Sequence, residues 1–526
     1  MSSAFQEILP GLLRWSSRVR GAQQPVNSYL WRCADSWVIV DPAEDLAPDL
    51  LAEAGCGRVA DVLITHFQRE NAAGAASFPR ARVHVPAGDE YLAAGEAEYA
   101  RLLVPWPHPW EWETRGNFKA NNSGAANERP SILPISIHST ISPGGRCLGC
   151  EVVSSPGHGK NAITLITEIE GRRVAFCGDL ICGDGRMWNW FDCNWDYGLE
   201  GGPLALMDSV ARLLGEKPDV LCPTHGPLIN DPQPALQKLY GRLKAVLAPK
   251  ASQENPPPIN FAEKDSPAPG FREILPCLHQ WRTGNCCVLV SQSRHALMID
   301  DGLCYWEPLP QRAEHHRKVI ASLKQALGIR KIEIVIPSHY HGDHTENISE
   351  LVAMEGAEVV CLDTVAEPIE HPERFGLACL LPWYGAASER FTVHRKLRDG
   401  ERFRWREFEL EIFHLGGQTY YHQGVGATID GLRTLFVGDS LSVWQGCEPV
   451  LCYNDAEPLA GGWPYAVGRM CERRPDLAVC GHGMAIRDPM PFLEQKRRLW
   501  HERLREFGEL DFRGDSRRFF NPFLKE

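Results

Sequence analysis

The feature that most constrains this chain is that it repeats itself. Phe5-Gln-Glu-Ile-Leu-Pro10-Gly-Leu-Leu-Arg-Trp15 returns as Phe271-Arg-Glu-Ile-Leu-Pro276-Cys-Leu-His-Gln-Trp281, with seven of eleven positions identical. Shorter matches follow in the same order. Ser36 to Asp41 pairs with His295 to Asp300, Val62 to His66 with Val335 to His339, Val174 to Asp179 with Thr434 to Asp439, and Lys217 to His225 with Arg474 to His482. The offset drifts between 257 and 273 residues, as surface-loop insertions make it do. A chain of 526 residues is also too long for one ordinary core. Two tandem domains are therefore expected, at 1–247 and 271–526. The Pro-rich stretch 248–270 between them, with Pro256, Pro257, Pro258, Pro267 and Pro269, has the composition of a linker.

Composition removes several function classes. The formal net charge of −12 argues against nucleic acid or an anionic membrane as partner. Met1 to Gln24 lacks a basic start followed by an apolar run, so it does not read as a signal peptide. No stretch reaches the roughly 18 apolar residues of a membrane span. The 18 cysteines show no framework spacing, and Cys147-Leu-Gly-Cys150 stands alone, so reduced thiols in a cytoplasmic protein are expected. The polar stretch Arg115 to Pro130 reads as a surface insertion. Tryptophans at 106, 110, 112, 188, 190 and 195 fall in loops, where they can wall a pocket or cover a core.

Each copy alternates short β-branched runs with longer helical spacing. Trp37 to Val40, Val62 to Ile64, Val83 to Val85, Ala162 to Ile166 and Val174 to Phe176 are expected strands. Leu206 to Leu214, Lys318 to Leu327 and Pro464 to Arg473 are expected helices. This is an α/β pattern, a layered sheet core flanked by helices.

The chemistry is carried by Ser338-His339-Tyr-His341-Gly-Asp343-His344, which follows the strand Lys331 to Pro337. Residues two apart on an extended segment face the same way, so His339 and His341 point together. The turn at Gly342, with a helix from about Thr345, carries Asp343 and His344 to a second position. Imidazole and carboxylate are ligands for zinc, manganese or iron.

These residues resemble the metallo-β-lactamase-fold superfamily, and the resemblance covers nearly all of both copies. The family motif HxHxDH is met by His339, His341, Asp343 and His344, the bridging aspartate by Asp439, and the late histidine by His482. The resemblance implies two αβ/βα sandwiches, each with metals at the edge between its sheets. One position departs. Gln418 stands where a third histidine is expected, so the first metal position is the weaker and the second (Asp343, His344, Asp439, His482) is complete. His414 and His422 flank that turn and are expected to support ligands or face solvent. His315 and His316, in a charged helical segment, are expected to be solvated.

The first copy reads His66, Gln68, Glu70 and Asn71 at the same place, yet keeps His158, Asp179 and His225. Two readings stay open. Either the site has decayed to scaffold, or His66, His158 and Asp179 form a mononuclear site of the two-histidine, one-carboxylate kind, similar to the persulfide dioxygenases of the superfamily. The resemblance implies a hydrolase in the second copy, with Asp343 orienting the nucleophile or moving its proton. Its expected cofactor is zinc, as one or two ions, with manganese or iron as alternatives. Its expected substrate is a small ester, lactone or thioester. An iron redox enzyme working from the first copy and a non-catalytic scaffold are the competing functions. The copies are expected to pack as an intrachain pseudo-dimer, with Trp444 and Tyr453 lining the second pocket and the loop Trp188 to Tyr197 a candidate wall for it.

Overall fold

The computed structural model describes residues 5–17, 25–95, 133–190, 193, 198–248, 260–261, 264–304, 309–372, 390–441, 461–483, 485–514 and 519. Trp106, Trp110, Trp112, Trp195, Tyr197, Trp444, Tyr453 and the 115–130 insertion lie outside them.

The repeated eleven residues fold the same way twice. Phe5 pairs with Trp15 and Leu9 with Leu12 in one hairpin; Phe271 pairs with Trp281 and Leu275 with Leu278 in the other. The register slips at the same place in both, between Glu7 and Leu9 and between Glu273 and Leu275. Each hairpin opens a sheet whose strands then follow in chain order. In the first half, seven strands run from Phe5–Leu9 to Ile137–Ile141; in the second, eight run from Lys264–Asp265 to Arg395–Leu397. Both sheets begin antiparallel and turn parallel where helical connections enter.

A second sheet closes each half. In the first half it is built on the strands Cys150–Ser154, Ile163–Ile169, Arg172–Gly178 and Val220–Pro223. In the second half it is built on Phe408–His414, Gln423–Ile429, Leu432–Gly438 and Leu477–Cys480. The two sheets of the first half meet through Tyr29, Trp31, Val40, Leu165 and Phe176, with Trp31 stacked on Phe176 at 5.3 Å. In the second half, Leu297, Val335, Ile336, Leu410 and Phe436 join one continuous core. Burying each such side chain is worth about 1.5–3 kcal/mol, and the alternation of strand residues decides which face is buried. Helices cover the outer faces, so the layered α/β sandwich expected from the sequence is what forms.

Within 248–270 the described residues include two short strands. Asn260–Phe261 pairs with Ala485–Arg487, and Lys264–Asp265 pairs with Phe271–Leu275. Helix Pro232–Leu247 of the first half packs on helix Met490–Leu510, and Arg503 donates to Val246 O. No described helix is long and apolar enough to cross a membrane. The described cysteines are free thiols; Cys147 and Cys150 face each other across a hairpin.

His316 corrects the sequence reading. It is fully buried, 3.1 Å from Asp301 and 3.5 Å from Glu350, while its neighbour His315 is exposed. A helix places adjacent residues about 100° apart, so one of the pair faced the core.

Candidate metal centre

Three of the second-half candidates sit just past strand ends. In the second half, His339 follows Lys331–Ile336, Asp439 follows Leu432–Gly438 and His482 follows Leu477–Cys480. The helix after the motif begins at Gly342, earlier than expected, and places Asp343 and His344 in its first turn. His344 Nε2 lies 3.2 Å from Asp439 Oδ1 and 3.3 Å from His482 Nε2. His482 Nε2 lies 3.0 Å from Asp343 Oδ2 and 3.3 Å from Asp439 Oδ2.

Two overlapping ligand groups result. His339, His344 and Asp439 offer atoms within 4.8 Å of one another, and so do Asp343, His344 and His482. His341, expected to pair with His339, lies beside it but is in neither group. Their rings are 4.3 Å apart, but His339 falls in with His344 and Asp439.

A buried carboxylate sets the tautomers. Ser338 Oγ–H donates to Asp300 Oδ2 at 2.8 Å, which leaves Ser338 Oγ to accept Nδ1–H of His339 at 2.9 Å. His344 donates its own Nδ1–H to the same Asp300 oxygen at 2.9 Å. Both imidazoles are thereby turned with Nε2 toward the centre, the arrangement that makes histidine a good ligand. His339 Nε2, Asp439 Oδ1 and Gln418 Oε1 are buried without a hydrogen-bond partner. His339 and Asp439 belong to one ligand group with His344, and buried acceptors left unpaired are costly unless a cation joins them, so these residues fit a metal ion.

The local electrostatics agree. Burial disfavours charge on His344 and His482, yet Asp439 with Asp300 and Asp343 outweighs it. His344 is held well above the ordinary range and His482 at about 10. A divalent cation would displace those protons. Burial, reinforced by neighbouring histidines, holds His339 well below the ordinary range; burial also brings His341 to about 4 and His422 to about 3.

Gln418 occupies the turn where a histidine was expected, and its Nε2 donates to Asp439 Oδ2 at 3.2 Å. His422 is fully buried, stacked on His339 at 4.7 Å, and its Nε2 accepts from the Asp439 backbone N–H at 3.3 Å. It braces the ligands from behind. His414 turns away, toward Tyr420 O and the Tyr465 hydroxyl. Asp300 was missed as a functional residue, and so was the part Ser338 plays between it and His339. The signal for Asp300 was its recurrence, with Asp41, at the end of one matched segment.

In the first half, His66, His158 and Asp179 come together, with Asp179 Oδ2 3.5 Å from His66 Nε2 and 3.4 Å from His158 Nε2. The same relay supports them. Thr65 Oγ1 donates to Asp41 Oδ2 at 2.6 Å and lies 3.0 Å from His66 Nδ1, leaving His66 Nε2 buried and without a hydrogen-bond partner. Asp41 and Asp300 both take positive φ, 52° and 61°. The glycine before each strand-end aspartate is also required. A Cβ at Gly178 would meet Thr65 Oγ1 at 2.8 Å, and one at Gly438 would meet His422 Nε2 at 2.5 Å.

His225 stands apart from the first-half triad. Its Nδ1 is 2.9 Å from both Asp179 oxygens and its Nε2 3.1 Å from Glu70, while Trp188 stacks flat on its ring. Asn71, where the second half has His344, donates to His66 O at 2.8 Å. A cleft of about 40 Å³ opens beside His66, lined by Gln68, Asp89, Tyr91, Lys160 and Asn161.

Comparison with known proteins follows the same lines. A family model described as the metallo-beta-lactamase superfamily matches residues 21–225 and 280–451. No curated protein matches the chain. Among solved structures, a metallo-beta-lactamase family protein from Thermus thermophilus is 22% identical over 48% of this chain and 85% of its own, with a TM-score of 0.36. A subclass B3 metallo-beta-lactamase of Bradyrhizobium japonicum is 15% identical over 46% of this chain and 94% of its own, with a TM-score of 0.35. One from Cronobacter sakazakii is 18% identical over 47% and 96%, with a TM-score of 0.33. With more than half its length matched, in two regions that each contain one of the paired motifs, the chain belongs to the metallo-beta-lactamase superfamily.

Proposed function

We propose that the second half is a metal-dependent hydrolase of a small ester, lactone or thioester. The observation that carries this reading is the convergence of His339, Asp343, His344, Asp439 and His482, with His339 Nε2 and Asp439 Oδ1 buried and without hydrogen-bond partners. Asp343, His344, Asp439 and His482 would hold one zinc ion; His339, His341 and Gln418 border a weaker position beside it. When bound, zinc would lower the pKa of a water to near 7 and polarise the substrate carbonyl. The chain's own residues do the rest. Asp300 fixes the ligand imidazoles. Asp343 is the most open carboxylate of the set, its side chain 18% exposed, and is oriented by Asn285 Nδ2 at 3.3 Å. It is placed to orient a nucleophilic water and take its proton.

The test is metal content and hydrolysis of an ester, lactone and thioester panel, for the wild type, His344→Ala and Asp343→Asn. Asp343→Asn, which keeps an amide oxygen as a weaker ligand, should lower metal affinity and, at saturating zinc, lose about 10²–10⁴-fold in kcat. Hydrolysis that survives His344→Ala would overturn the reading.

The first half supports a second reading, carried by the His66, His158 and Asp179 triad beside its own cleft. Two histidines and a carboxylate with open positions suit a single iron in redox chemistry. Oxygen consumption that depends on iron and is abolished by His158→Ala would support it; zinc or manganese as the sole metals found would sink it.

A further inference from the structure

The residues after the last described helix leave the second half and join the first. Met187 N–H donates to Leu510 O at 2.8 Å, Phe512 N–H to Met187 O at 3.2 Å, and Arg186 Nη1 to Asp511 O at 2.8 Å. Trp190 N–H donates to Phe519 O at 2.7 Å. Phe507, Leu510 and Phe519 are buried in the first half's outer core with Met187 and Trp190. Phe512 lies against Gly183, where a Cβ would meet its ring at 2.6 Å, and close to Gly226, the residue after His225.

This segment reaches the first-half centre through one indole. The Arg513 guanidinium sits 4.6 Å from the Trp188 ring centroid. Trp188 lies on the His225 imidazole at 4.0 Å with 5° between the planes. His225 holds both oxygens of Asp179 at 2.9 Å, and Asp179 Oδ2 faces His66 and His158. A guanidinium over an indole is favourable, and a flat stack fixes the tilt of the imidazole that its in-plane hydrogen bonds leave free.

We propose that Asp511–Arg513 of the second half is a positioning element for the first-half centre. Arg513, carried on the pairing with Met187, keeps Trp188 flat on His225. His225 in turn keeps the Asp179 carboxylate facing the site of a single divalent transition-metal ion. The inference rests on the reading of His66, His158 and Asp179 as ligands, and it makes metal affinity in one half depend on residues of the other.

The test uses the full chain in a His344→Ala/His482→Ala background, which breaks both second-half ligand groups. Cobalt(II) is titrated and followed by its visible absorption and by chelator competition. The background protein should bind one cobalt, and His158→Ala should abolish it. Trp188→Leu should weaken binding at least ~10-fold and shift the absorption band, whereas Trp188→Phe, which keeps a flat ring on His225, should stay within ~3-fold of the background protein. Arg513→Ala, a half-exposed position, should fall between the two with thermal stability close to the background protein. If His158→Ala binds cobalt as before, the ligand reading fails and the inference with it. If His158→Ala abolishes binding but Trp188→Leu or Arg513→Ala leaves it unchanged, the ligand reading stands and the positioning role is overturned. Equal losses for Trp188→Leu and Trp188→Phe also overturn it, because a ring that only fills space would respond that way.

Discussion

The two halves share a scaffold and differ in ligands. Both keep a strand-end aspartate at positive φ, Asp41 or Asp300, that accepts a hydroxyl from Thr65 or Ser338 and through it orients a histidine. Both keep the glycine that lets the bridging aspartate approach. The ligand sets are nearly complementary. The first half gathers His66, His158 and Asp179 from three separate strand ends, with Gln68, Glu70 and Asn71 where the second half has His341, Asp343 and His344. The second half keeps that local run and has Gln418 where the first has His158. The relay is thus a requirement of the fold, while the ligands around it set the chemistry.

The sharpest way to break this comparison is to remove one ligand from each half. His344→Ala should abolish hydrolysis and the metal of the second half, and His158→Ala should leave both intact while emptying the first. Metal content per chain with a parallel hydrolysis assay decides it; either variant affecting both halves equally would end the idea of independent centres. The relay should matter next. Asp300 orients His344 directly and His339 through Ser338, whereas Asp41 reaches only His66 through Thr65. Asp300→Asn should therefore weaken second-half metal binding by about 10–100-fold, and Asp41→Asn should weaken the first half by less. Chelator competition measures both, and equal losses would argue against the shared tautomer control. Gln418→His restores imidazole at the one second-half position that lacks it. It should raise metal content by one ion per chain, and unchanged content would place the limit elsewhere, at His341 or His422.

The smallest effect concerns acid stability of the metal-stripped protein. His339, His341 (about 4) and His422 (about 3) have folded pKa values below the ordinary 6.5. The unfolded chain takes up protons between pH 6.5 and 4 that the folded second half refuses, so stability falls as pH drops through that window. Those depressed histidines all lie in the second half, whereas raised groups occur in both halves: His344 and His482 (about 10) in the second, and His66 and His225 (about 10) in the first, where Asp179 acts on both and Glu70 on His225 against burial. Their contribution is complete below pH 6.5 and is lost as pH rises toward 10. Hydrogen exchange at pH 7 and pH 5 on chelator-treated protein should show the second half loosening and the first holding. The reverse order would contradict these assignments.

How far the site was legible follows from how local each part is. His339 to His344 lie within six residues on a strand and the turn after it, so spacing alone exposed them. Asp439 and His482 were read through the family resemblance, and the repeat then pointed to their first-half partners Asp179 and His225, because each closes a matched segment. His422 was legible as a flank of the Gln418 turn, expected to support ligands or face solvent, but its contact with His339 was not. It reaches His339 through a bridge between distant segments, and no spacing rule places a Tyr-Tyr-His run beneath a ligand. Gln418 was singled out by the turn that the family resemblance implies, but its bond to Asp439 is a tertiary fact. His316 misled because the charged residues around it suggested solvent, while its burial depends on Asp301, which lies outside its helix. The crossing of residues 510–514 and Phe519 to the first half left no periodic trace at all.

That crossing has a kinetic consequence. Arg186 bonds Gly508 O across 322 positions of chain, so the outer layer of the first half cannot close until the second half has been made and folded. Contacts of such long range are slow to form, because the intervening chain must be ordered before they are rewarded. During synthesis the half that emerges first is therefore the last to be sealed. Until then Trp190 and its apolar neighbours present a surface for which the chain's own final helix must compete with other chains.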